Sequence, residues 1–94
     1  MYEYKFEIKK SIFGGIVYFQ RLGKIGIIGF GEVGFQYDKV ICTIPSWFTL
    51  IGGRGNSFAG TAGSTSIEIS VYERGVIGYG NITGVSAIAT FILN

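Results

Sequence analysis

The stretch "GKIGIIGFGEVGFQYDKVICTIP", residues 23–45, decides the fold. Within it Gly29, Phe30, Gly31, Glu32, Val33 and Gly34 spell G-x-G-x-x-G, and the run before them reads as a buried strand. A dinucleotide-binding βαβ unit begins in the same way, but there each glycine serves a particular context. The loop must open into a helix whose N-terminus holds the pyrophosphate, and an acidic residue about twenty positions on must take the ribose hydroxyls. After Gly34 comes "FQYDKVICTIP". Tyr37, Val40, Ile41 and Ile44 do fall at helical spacing, yet Val40, Ile41, Thr43 and Ile44 are poor helix formers and Pro45 ends the segment. Between Asp38, too near, and Glu68, too far, there is no carboxylate. The three glycines are therefore read as bulges or close approaches in a strongly bent strand. No cofactor is expected. The "GGRGNS" stretch fails as a phosphate loop for want of a lysine and a following helix.

Outward from this stretch the hydrophobic period is two almost everywhere. Tyr2, Tyr4, Phe6 and Ile8 alternate with Glu3, Lys5, Glu7 and Lys9, a strand with one face in water, so the aromatics are expected to form its buried face. Arg21, Leu22 and Gly23 read as a hairpin turn into a strand at residues 24–28. Ile67, Ile69 and Val71 alternate with Ser66, Glu68, Ser70 and Tyr72. Arg74 and Gly75 read as the next turn, a strand at residues 76–82 returns, and "SAIATFILN" is the last strand. Residues 45–65 break the alternation with five glycines, the one proline and the one tryptophan, and read as a long connection holding one short strand. The expected class is all-β, a small antiparallel barrel or sandwich formed by residues 1–94 as one domain.

Composition narrows the chemistry. The 94 residues suffice for one modest core. Eight Lys and Arg against six Asp and Glu leave a net charge of +2, too few cations for a row of phosphates, so nucleic acid is excluded as a partner. With no histidine and only Cys42, zinc sites, Ser-His-Asp or Cys-His catalysis and internal disulfides all drop out. Cys42, between Ile41 and Thr43, reads as a small buried hydrophobe. The charged N-terminus lacks the apolar stretch of a signal peptide. The last twenty residues carry no charge, but four glycines interrupt them, so two strands and a turn are read there and no membrane insertion. With 48% apolar and only 15% charged residues, part of the apolar excess is assigned to a subunit interface.

The order of features is similar to the C-terminal head domain of receptor-binding proteins from tailed phages of Gram-positive bacteria, the lactococcal baseplate type especially. The matching features are "GGIVYFQRLGK", "GFGEV", "TIPSWF", "STSIEIS", "RGVIGYG" and a terminal small-residue strand, spanning roughly residues 12–94. The resemblance implies a homotrimer of small β-barrels at the virion tail tip or baseplate. Such a head binds host cell-wall saccharide and contacts phage baseplate or tail proteins. It implies a saccharide site around residues 66–79, with Glu68 at the place of an acidic ligand of sugar hydroxyls and Tyr79 at that of an aromatic. Ser66 falls where the family carries a histidine, so the same sugar does not follow. The family's N-terminal anchor and helical neck have no counterpart in these residues.

Independently of the resemblance, saccharide sites pair a carboxylate or amide with a flat apolar ring, a set that Glu68, Asn81 and Tyr79 can supply. If Arg74 and Gly75 form a two-residue loop, Tyr79 and Asn81 share the face of Glu68 and Ser70; a three-residue loop moves Tyr79 to the other face. The alternative for these residues is that Tyr79 packs the barrel and Glu68 is merely solvated. Trp47 and Arg54 are further contact candidates, Trp47 reading better as a plug of the barrel. The leading expectation is a non-enzymatic adhesin. The alternative is a structural virion protein, for decoration or tail assembly, with no ligand. A glycosidase using two of Glu32, Asp38, Glu68 and Glu73 ranks last, because no spacing places a carboxylate pair in a cleft.

Overall fold

A computed structural model describes residues 3–53 and 57–94. Eight strands follow one another: β1 (Tyr4–Lys10), β2 (Ile16–Leu22), β3 (Ile25–Phe35), β4 (Lys39–Cys42), β5 (Phe58–Ala62), β6 (Thr65–Tyr72), β7 (Gly75–Gly78) and β8 (Ile82–Ile92). All pairings are antiparallel, in the order β1-β2-β3-β8-β5-β6-β7-β4, and the sheet curls into a nearly closed barrel. The only helix among the described residues is a 3-10 turn at Ile51–Gly53, so residues 45–65 do hold one strand within a long connection. No described helix is long and apolar enough to cross a membrane.

The glycine triplet lies wholly inside β3. Its pairing with β8 runs evenly from Ile25↔Ile92 to Phe30↔Ala87, then slips before Val33↔Val85. Glu32 takes the extra step at φ 52°, which marks a bulge, and a bulge bends its strand. At Gly34 the backbone of Phe13 occupies the space a side chain would need, and at Gly29 the ring of Tyr18 does. The triplet bends a ribbon; no helix follows it.

Inward-facing residues of the strands other than β1 form the core, with Val17, Phe19, Ile28, Val33, Ile69, Val71 and Val85 fully buried. A file of rings runs through it. Phe19 meets Phe48 at 5.4 Å, Phe48 meets Phe91 at 6.0 Å and Phe91 meets Phe58 at 6.0 Å, after which Phe58 and Phe30 lie at 5.8 Å. Mostly edge-on contacts suit the quadrupoles of the rings. Phe48 is fully buried, and Trp47 beside it is half-buried and packs against the core, its ring 6.2 Å from that of Phe48. Arg21 fastens this segment, donating from Nη1 to the Trp47 carbonyl and from Nη2 to that of Asn94. Cys42 is buried and free, as expected of a small hydrophobe.

Two hairpin turns sit one or two residues from their expected places. Leu22 pairs with Ile25, so the first turn is Gly23 and Lys24; Tyr72 pairs with Gly75, so the later one is Glu73 and Arg74. β7 is also shorter and β8 longer than expected, because Tyr79 and Gly80 form a bend and pairing resumes at Ile82. The larger correction concerns β1. Tyr4, Phe6 and Ile8 do share a face, but they are 60%, 48% and 54% exposed. The opposite, charged side shares the sheet face of Val17 and Phe19 without entering the core, and Lys9 there is half-buried and donates to the exposed Thr43. Tyr2 lies outside the described residues.

Candidate functional site

The site expected on β6 and β7 depends on the turn between them, and that turn has two residues. Ile69 pairs with Gly78, and the amide of Tyr79 donates to the Glu68 carbonyl at 3.0 Å as a final rung. Tyr79 therefore lies opposite Glu68. Ser66, Glu68, Ser70 and Tyr72 alternate onto the outer face of β6, because Ile67, Ile69 and Val71 between them are buried in the core. Tyr79 alternates onto that same face, because Gly78 lets Phe35 lie against its inner side. Ser66, Glu68 and Tyr79 are thus brought onto one surface.

Asn81 joins them differently. It lies past the last rung of the ladder, and its Oδ1 accepts from the Tyr37 amide at 2.9 Å. This bond ties the connection after β7 to the turn between β3 and β4. That turn is held further by the Asp38 amide, which donates to the Gly78 carbonyl at 3.0 Å. Asn81 is a positioning residue for Tyr37, whose ring stands 6.0 Å from that of Tyr79 at 68°.

Tyr37, Tyr72 and Tyr79 make the aromatic part of the surface. The hydroxyls of Tyr72 and Tyr79 lie 3.4 Å apart, and the Arg74 guanidinium sits 5.6 Å from the Tyr72 ring centre. The hydrogen bond with Tyr72 and partial desolvation push the Tyr79 phenol up, outweighing a contact with Ser70 that works the other way. The Tyr79 phenol is consequently neutral at physiological pH, able to donate and to accept. Beneath them Ser70 is buried and satisfied by the Ser57 hydroxyl at 2.9 Å. Beside them Ser66, Glu68, Phe58 and Ala59 line a shallow depression.

The sequence pointed to Tyr79 but not to Tyr37 or Tyr72. Tyr72 was legible in principle, standing on the alternation of Ser66, Glu68 and Ser70. Tyr37 is 35 residues before Tyr72 and reaches the site only through the barrel's closure. Trp47 lies near Arg21 and Asn94, among residues lining a separate surface depression. Arg54 lies outside the described residues. Compared with known protein families, curated proteins and solved structures, the chain matches none.

Proposed function

We propose that the chain is a receptor-binding head domain of a tailed phage, attaching it to host cell-wall saccharide through the outer face of β6 and β7. The observation that carries this reading is Tyr79, which lies opposite the exposed Glu68 with its hydroxyl 3.4 Å from that of Tyr72. A sugar offers apolar C–H faces and a ring of hydroxyls. The exposed Tyr37 ring can take the former, while Glu68, Ser66 and the two phenols take the latter. Such a shallow, open site suits affinity of about 1 mM, near 4 kcal/mol. Presentation in three copies, repeated around a tail tip, turns that weak contact into firm attachment through effective concentration. No step of this function requires a cofactor or catalysis.

The alternative, a ligand-free structural virion protein, is favoured by one observation, the exposed apolar face of β1, β2, β3 and β8. Glycan arrays of Gram-positive cell-wall polysaccharide separate the two readings. The parent is expected to bind, and Tyr79→Ala and Glu68→Ala each to lose tenfold or more. If both variants bind like the parent, the site is misassigned; if the parent binds no glycan, the structural alternative takes its place.

A further inference from the structure

Most of the chain's exposed apolar bulk lies on one surface. Cross-strand pairing aligns Tyr4, Leu22, Ile25 and Ile92 in one row and Ile8, Tyr18, Gly29 and Ile88 in another. Between them runs a row of Phe6, Gln20, Ile27 and Thr90. No charged residue stands in these three rows; Lys10 appears only at the rim. Of the eleven large hydrophobics exposed among the described residues, eight lie on this face, counting Ile16 beside Lys10.

The alternation of β1 makes this more than an apolar surplus. An amphipathic edge strand ordinarily turns its apolar side to its own core. Here Tyr4, Phe6 and Ile8 point away from it, and the charged side pairs within itself, Lys5 with Glu3 at 2.7 Å and Lys9 with Glu7 at 3.8 Å. The strand is patterned for a layer that one copy of the chain does not supply.

We infer that this face is a self-association surface, covered by another copy of the same chain packed sheet against sheet. Area supports that occupant. With about 200 Å² for a fully exposed large apolar side chain, the eight residues leave on the order of 900 Å² uncovered. That exceeds the roughly 300–600 Å² of the largest patch on an ordinary monomer and matches the ~800 Å² each partner contributes to a standard interface. Charge supports it as well: a face without charges can meet its own copy with no like-charge contact. Sheets pack face to face at about 10 Å, a spacing that Ile, Leu and Phe side chains fill. The inference stands on this face alone, although threefold presentation of the sugar site would make use of it.

Sedimentation velocity of the full chain between 5 and 100 µM tests it. The parent is expected at a multiple of 10.2 kDa. Phe6→Lys and Ile88→Lys, each placing an ammonium in the buried layer, are expected to weaken association at least about a hundredfold and to run as monomers. Unchanged far-ultraviolet circular dichroism shows that they still fold. Ile51→Lys, at an exposed residue off this face, should keep the parent's mass. A monomeric parent, or an oligomer that both face variants leave intact, overturns the inference. So does a monomeric parent that pellets with phosphatidylcholine vesicles, which would make a lipid surface the occupant. An intact oligomer that binds no glycan fails the saccharide reading and leaves this one standing.

Discussion

Alanine substitution at each glycine of the triplet should give three different results, because each would meet a different neighbour. At Gly34 the added methyl falls on backbone: the Phe13 carbonyl carbon would lie 2.9 Å away, well inside the 3.5–4.0 Å of a carbon–carbon contact. The strand cannot back away freely. The Gly34 amide donates to the Gly14 carbonyl at 3.0 Å, and its carbonyl accepts from the buried Ser11 hydroxyl at 3.2 Å. Overpacking costs about 1–3 kcal/mol and each hydrogen bond about 1 kcal/mol, so Gly34→Ala should destabilise by about 4 kcal/mol. At Gly29 the obstacle is the half-buried Tyr18 ring, which can swing outward, and the cost should be about 1–2 kcal/mol. At Gly31 the nearest atom is Ile16 Cγ1 at 3.3 Å, on a side chain open to solvent, and the change should stay within about 0.5 kcal/mol. Guanidinium unfolding followed by circular dichroism, extrapolated linearly to water, ranks the three. A Gly31→Ala loss as large as that of Gly34→Ala, or a Gly34→Ala midpoint equal to the parent's, would refute the bent-strand account.

Two further predictions concern the core. Phe48→Ala removes the ring that touches Phe19, Phe91 and Trp47, and should cost about 3–5 kcal/mol, lowering Tm by more than about 12 °C in a thermal melt. Cys42 has its thiol pushed by burial from 9.0 up to about 11. The unfolded thiol therefore ionises first, and the stability linked to this group, on the order of 2 kcal/mol, is present below pH 9 and lost as pH rises toward 11. Unfolding midpoints between pH 8 and 11 should fall less steeply in Cys42→Ala than in the parent; parallel slopes would remove the linkage.

Strand periodicity was legible because it is local. Alternation in residues 3–9 and 66–72 needs no knowledge of the partner strand, and Pro45 with its β-branched neighbours rules out the helix that a dinucleotide site requires. Turn positions were less legible. Glycine draws the eye to Arg74 and Gly75, yet Gly75 belongs to the strand, at φ 142° with the Cys42 carbonyl against it. Of the candidate site, Ser66, Glu68 and Tyr79 could be placed on one face by counting residues, given the length of one turn. Tyr37 could not, because it arrives through Asn81 and the closing of the barrel.

By itself the sequence determined that this chain is all-β, that its glycine triplet lies in a bent strand, and that Cys42, Ile67, Ile69 and Val71 are interior. Period-two patterning and steric preference act over a few residues, so they survive without tertiary context. Only the tertiary structure decided which side of β1 faces outward, which rings meet in the core and which tyrosines meet. A strand's pattern shows that it has two unlike faces. The pairing of that strand with the rest of the sheet decides which face water sees.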